Sequence, residues 1–466
     1  MSLWWLAACA PAVTVAPASG PSSGYFEVVL TLDVAPDQVL GVQLGGLPAY
    51  DLTPVGENTL QVTVQGAPEP GPALLVVETA DAVIEVADAF DYAAPADPAF
   101  DRFFAVGASL TMGVQGGVPT THGALNSPGA VLADLAGAYL PQPLLKPGLF
   151  PHIGPLDIGP PPECESPPIV DFVTNAALEV LTTLSDPETG DFGFQWGRIT
   201  PELMPRNLAI GDSDLADLLH GVPSDDFGQQ FLAHLVVDPY GAFGTPVIES
   251  QLDLLEQGDP TLVICTDLFG NDVIGALVEG DDIDPSGVTS LVDFEADLVP
   301  LLDRLEATGA HVFLATLPRP SLLPITGVKR AAMIADGRSA EEVDALIAEI
   351  EDLAAAMNEQ LLDQAQDRPG IHVVDLAQAV SEQEQTGVVA GGETLYFTRF
   401  GGLLTLDGVH FSDTGYGLVA EQFALAIEAE LGVTLPLPDL DAIHAADPWS
   451  RESLADGGLD LAACEE

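Results

Sequence analysis

Positive charge is what this sequence most lacks. Lys and Arg number 12 against 71 Asp and Glu, a formal net charge of −59 at pH 7. No Lys or Arg precedes Arg102. Such a surface repels phosphate backbones and anionic headgroups, which excludes nucleic acid as a partner. It also repels itself, and salt relieves that repulsion. A saline setting and an exported acidic protein both fit. Cysteine is scarce too: four residues, none spaced as zinc ligands. Cys265, in the apolar run "TLVICTDL", reads as a small buried hydrophobe. Cys164 and Cys464 could pair in an oxidising compartment, although spacing does not fix connectivity. Long apolar runs are missing as well, and none reaches the length of a transmembrane helix.

What is present is a globular composition. Hydrophobic residues make up 47%, too many for a disordered chain, and 46 Gly and 39 Pro predict abundant loops. At 466 residues the chain exceeds what one core usually organises, so two domains are expected.

The N-terminus carries "LWWLAAC", ending at Cys9. Leu-Ala-Ala-Cys resembles the lipobox of bacterial lipoproteins, which implies export, either as an outer-membrane lipoprotein attached through a lipidated Cys9 or as a periplasmic or secreted bacterial protein. Only eight residues precede this Cys and none is basic, so residues 1–9 read as a truncated signal. The same tetrapeptide recurs at Leu461–Cys464, where it cannot be a signal. Residues 10–21, "APAVTVAPASGP", read as a flexible tether.

Residues 22–93 alternate apolar and polar residues in short runs such as "YFEVVLTLDV" and "TLQVTVQG", separated by Gly, Pro, Asn and Asp. That period predicts a β-sandwich. "PSSG", "VQLGGLPAYDL" and the closing "FDY" resemble the immunoglobulin-like TIG domain, implying a spacer or a binding module. Residues 94–100 are a Pro/Ala linker. From 101 to 437 the pattern changes. Apolar runs at Phe103–Val106, Thr261–Cys265, Ala310–Leu314 and Ile371–Val374 alternate with amphipathic helical stretches. This predicts an α/β fold with a mostly parallel sheet flanked by helices, whose site lies at the carboxyl ends of the strands. Residues 139–198, rich in Pro and Gly, read as an insertion forming a lid or substrate wall. Its Leu144, Leu145, Leu149, Phe150 and Ile153 point to an acyl chain or to simple packing. Residues 438–466 read as a solvated acidic tail.

Chemistry is concentrated in a few stretches. "FFAVGASLTMG" is a buried-looking strand that ends on a tight turn presenting Ser109. "TLDGVHFSDTGYGLVA" sets Asp407 three residues before His410, ahead of a helix; a general base near neutral pH is most often His, and the Asp can hold its tautomer. Asp441 and His444 share that spacing but lie in the tail. "LFGNDV" places Asn271 after an apolar strand, where its side-chain N–H could reach an oxyanion. "NLAIGDSDLADLL" places Gly211 at a helix start, where a backbone N–H could do the same. The seven other histidines, at 122, 152, 220, 234, 311, 372 and 444, read as satisfied or exposed residues.

Taken in chain order, from Ser109 through Gly211 and Asn271 to His410, these four stretches resemble the signature blocks of the SGNH (GDSL) hydrolase family, over roughly residues 101–436. The resemblance implies a flavodoxin-like three-layer fold and a lipase or esterase. Ser109 would be the nucleophile, His410 the general base and Asp407 its orienting carboxylate. The N–H groups of Ser109 and Gly211 and the Asn271 side chain would form the oxyanion hole. The substrate would be a small ester or a lipid, and such acyl transfer needs neither metal nor organic cofactor. A thioester, a phospholipid or an acetylated glycan are alternative substrates. An inactive surface binding or adhesion protein is the alternative of another class. Two departures bear on activity. Ala108 stands where the family usually has Asp, which implies a less rigid turn. Phe269 replaces a Gly, which implies a reshaped pocket beside Asn271. Gly211-Asp212-Ser213 matches the family name better than Gly107-Ala108-Ser109, but Ser213 follows no first strand of the domain.

Overall fold

The computed structural model describes residues 13–146, 149, 183–186, 189–224, 227–242, 245–278, 280, 282–457 and 459–464. Cys9, Cys164, Phe150, Ile153 and His152 lie outside them. The chain forms two compact units, one reaching to Asp101 and including Ala136–Pro141, the other holding Arg102–Leu135 and everything from Gln142 on. The first division falls where the Pro/Ala linker ends. The return of Ala136–Pro141 to the N-terminal unit was not legible, because it rests on contacts such as the Ala96 N–H donating to the Ala136 carbonyl (2.7 Å).

The first unit consists of two sheets. One has the order β1 (Thr14–Ala16), β3 (Gly24–Thr31), β7 (Thr59–Gln65), β6 (Tyr50–Gly56); the other runs β2 (Ser19–Pro21), β9 (Val83–Ala93), β8 (Gly71–Thr79), β4 (Val39–Leu44), β5 (Leu47–Pro48). Period-2 alternation puts Val28, Leu30, Leu60 and Val62 of one sheet and Val42, Leu44, Leu75 and Val77 of the other in a single hydrophobic cluster. The tether expected at 10–21 is corrected in its described part. β1 pairs with β3 and β2 pairs with β9, so the segment already belongs to the sheets.

The second unit is mixed α/β. β10 (Phe103–Ala105), β11 (Leu262–Cys265), β12 (His311–Ala315) and β13 (Ile371–Val374) form a parallel sheet in that order. Residues 206–210 run parallel to the free edge of β10: the Ala105 N–H donates to Arg206, and the Leu208 N–H donates back to Ala105. The strands read as largely apolar runs, interrupted by His311 in β12 and His372 in β13, because both faces are covered. Val263, Cys265, Val312 and Leu314 join a core with the helices Leu291–Ala307 and Ala340–Ala365. Phe103, Ala105, Leu262, Ile264 and Phe313, which alternate with them, are buried as well, and the helix Asp413–Leu431 packs on β13. The long helix starts where the sequence says it should. Ser339 and Glu342 close a capping box, and Val343, Ile347, Ile350, Ala354, Met357 and Leu361 bury one stripe.

The C-terminal segment is not solvated throughout. It forms the helices Leu440–Ala446, Arg451–Asp456 and Leu461–Cys464, and buries Trp449, Leu454, Leu459 and Leu461 with Leu406. The acidic composition hid this apolar stripe. Cys464 is disulfide-bonded, while Cys265 is a buried free thiol. Among the described residues no helix is long and apolar enough to cross a membrane.

Candidate active site

β10 delivers Ser109 to the carboxyl edge of the sheet. After Val106 the chain turns through Gly107, whose φ of +140° favours glycine, and whose added Cβ would stand 2.6 Å from both Asp267 Oδ1 and Thr111 Oγ1. Gln251 brackets the same residue: the Gly107 N–H donates to its Oε1 (2.9 Å), and its Nε2 donates to the Gly107 carbonyl (2.8 Å). Ser109 then opens a short helix, Ser109–Met112, with Ala108 as an N-cap that offers no side-chain acceptor.

The missing acceptor comes from elsewhere. Asp267, just past the end of β11, takes the Ala108 N–H (3.0 Å), the Thr111 N–H (3.4 Å) and the Thr111 hydroxyl (2.6 Å) on Oδ1, and the Leu110 N–H (2.6 Å) on Oδ2. The turn is therefore tied down despite Ala108, against the loss of rigidity expected from that departure. Burial raises the Asp267 carboxyl above its ordinary value, while the Thr111 hydroxyl and the three N–H donors pull the other way.

His410 stands on a loop closed by the Leu404–Phe411 bridge. Its Nδ1 meets Asp407 Oδ2 at 2.7 Å. Asp407 Oδ1 accepts the Val409 N–H (2.8 Å), the His410 N–H (2.9 Å) and the Thr405 hydroxyl (3.0 Å). Burial alone would raise this carboxyl, but the charge and hydrogen bonds of His410 and the Val409 N–H outweigh it and leave it below the ordinary value. With Nδ1 committed to Asp407, Nε2 is the nitrogen left to exchange a proton.

Ser109, Gly211, Asn271, Asp407 and His410 all line one cavity of 860 Å³. Among the described residues, Ser109 and His410 make no direct hydrogen bond to each other across it. Among the described residues, neither the Ser109 nor the Gly211 backbone N–H donates to a protein acceptor. Asn271 Nδ2 donates to the Ser213 carbonyl (2.8 Å), which orients the amide and leaves its second N–H. Gly211 is not at a helix start, as the sequence implied: the helix Leu215–His220 begins later, with Asp214 as its N-cap.

Phe269 does not reshape this cavity. Its ring is buried in the core, edge-on to Phe294 at 5.2 Å, and it is not among the lining residues. Ser213 is buried, and its hydroxyl accepts from Gln229 Nε2 (3.3 Å). The other described histidines have partners of their own. His122 meets Asp413 (2.7 Å), His234 meets Asp238 (3.2 Å) and His372 meets Glu430 (3.3 Å). Asp217 and His220 share the Asp407–His410 spacing, but there the imidazole reaches Asp297 instead (3.2 Å).

The remaining walls are mainly apolar, including Val114, Phe231, Ile274, Leu277, Leu323 and Val380. Arg319, the one Lys or Arg among the described lining residues, is paired with Glu384 (2.6 Å). Among the described residues no cluster of three or more His, Cys, Asp and Glu could hold a metal ion. Sequence reading missed Asp267 and Gln251, although "CTDL" did place an acid directly after a strand. No protein-family model matches the chain, and no curated protein matches it.

Proposed function

We propose that this chain is a serine hydrolase of the SGNH type that cleaves carboxylic esters with an apolar acyl group. The observation that carries the reading is the convergence on one cavity of Ser109, the Asp407–His410 pair and three candidate oxyanion donors. His410 Nε2 takes the proton of Ser109 Oγ as the oxygen attacks the ester carbonyl. The N–H groups of Ser109, Gly211 and Asn271 receive the developing oxyanion. One such donor contributes about 3 kcal/mol, or about a hundredfold in rate. His410 then protonates the leaving alcohol, and a water repeats the sequence on the acyl-enzyme. Asp407 keeps the imidazole in the Nδ1–H tautomer and stabilises the imidazolium.

The apolar walls support an acyl chain over a polar sugar, and the net charge disfavours anionic substrates. The N-terminal unit fits an immunoglobulin-like sandwich of TIG type serving as a spacer. Export with lipidation at Cys9 belongs to the same proposal.

The test is fluorophosphonate labelling and p-nitrophenyl ester hydrolysis by the native chain beside Ser109→Ala. Labelling and turnover that vanish in the variant support the reading. A folded native chain that does neither overturns it and favours a binding module.

A further inference from the structure

We infer that Asp267 is the positioning residue of the nucleophile turn, supplying from the end of β11 the carboxylate that the turn lacks at position 108. This rests on Ser109 as the nucleophile.

A helix start leaves its first N–H groups without intrahelical acceptors, and an N-cap side chain normally takes one of them. Ala108 offers only a methyl group. The Asp267 carboxylate reaches across instead and takes the N–H groups of Ala108, Leu110 and Thr111. The N–H it skips is that of Ser109, the one needed for an oxyanion. Both neighbours of Ser109 are therefore tied down while its own N–H is left to the cavity. The Thr111 hydroxyl tightens the arrangement: it accepts the Thr266 N–H (3.0 Å) and donates to Asp267 Oδ1 (2.6 Å).

Gly107 belongs to the same device, since any Cβ there would collide with Asp267 Oδ1 at 2.6 Å. On the far side of Gly107 the Gln251 amide makes its two bonds. The turn is thus gripped from β11 on one side and from the helix Gln251–Gln257 on the other. Asp267 also lines the cavity, but both its oxygens are taken by donors of the turn, so it acts as a positioning residue through Ser109.

Asp267→Asn is the test, because it keeps the shape and one acceptor but turns an NH2 group toward N–H donors. The readouts are the fluorophosphonate labelling rate of Ser109, kcat and KM for a p-nitrophenyl ester, and the melting temperature. Misplacing the nucleophile lowers labelling rate and kcat together by about 10- to 100-fold while KM stays within about twofold. A folded Asn variant that labels and turns over within about twofold of the parent overturns the proposal, as does one whose loss lies in KM alone. Should Asp267→Asn not fold, Thr111→Val removes one of the four donors that the turn gives Asp267 and keeps the carboxylate. It is expected to lower kcat by about 3- to 10-fold at unchanged KM, and an unchanged kcat overturns the proposal. Failure of the underlying reading appears separately, as a Ser109→Ala variant that labels as fast as the parent.

Discussion

His410 Nδ1 lies 2.7 Å from Asp407 Oδ2, and the same carboxylate accepts the backbone N–H of His410 at 2.9 Å. One residue therefore holds both the ring and the loop that carries it. Asp407→Asn should keep the loop hydrogen bonds through Oδ1 and lose the tautomer control. The expected result is a kcat lower by about 10³- to 10⁴-fold with little change in KM, read by ester hydrolysis at pH 8. A variant within about tenfold of the parent would show that Asp407 does not orient the base.

The pH dependence of stability should carry the mark of Asp217. Burial, followed by the nearby Asp214 charge and opposed by the Gln229 hydrogen bond, pushes its carboxyl up to about 7. A carboxyl raised on folding binds more protons in the native state than in the unfolded one. Stability from this group is then greatest below its unfolded value of about 4 and falls as pH rises toward 7. Asp217→Asn can keep the bonds from Gln229 Nε2 and the Asp214 N–H. The variant should melt higher than the parent at pH 8, with the difference shrinking or reversing at pH 5. Equal melting curves at both pH values would refute the assignment.

Phe269 should matter for stability and not for substrate. Its ring fills the core against Phe294, so Phe269→Ala is expected to cost about 3–5 kcal/mol in denaturant unfolding. KM at a temperature where the variant stays folded should be unchanged. A large KM change without loss of stability would place the ring in the pocket after all.

Cavity size should set acyl-chain preference. Ile274 lines the wall on the helix Gly270–Val278, close in sequence to Asn271. Ile274→Trp should raise KM for long-chain p-nitrophenyl esters and spare the acetate. A parent enzyme with a sharp preference for acetyl would already count against the apolar-acyl reading.

Salt should stabilise the chain. With a net charge of −59, self-repulsion is screened as ionic strength rises, and the Debye length falls to about 3 Å at 1 M. The melting temperature is expected to climb between low salt and molar NaCl. No gain would mean that the native fold does not concentrate the charge more than the unfolded chain does.

Much of the architecture was legible because periodicity is local. The runs Phe103–Val106 and Ile371–Val374 correspond to the strands Phe103–Ala105 and Ile371–Val374, and the helix beginning after Ser339 follows its capping signal. Short edge strands were not legible. Thr14–Ala16 and Ser19–Pro21 look like linker until β3 and β9 offer them partners. The buried face of the tail escaped notice because its few leucines and Trp449 are diluted by acids. The direction of the Phe269 side chain could not be read at all, since a turn has no period from which to infer a face.

By itself, the sequence determined the contacts that a few residues of backbone can make. Asp407 meets His410 because they share one loop, and Ser109 follows a tight turn because Gly107 permits it. Only the tertiary structure decided that Asp267 caps that turn, that Phe269 points away from it, and that Asn271 and His410 open on the same cavity. The physical reason is the parallel sheet. It sets strands remote in sequence side by side at a spacing of about 4.8 Å, so residues just past their carboxyl ends become neighbours without any local signal of it.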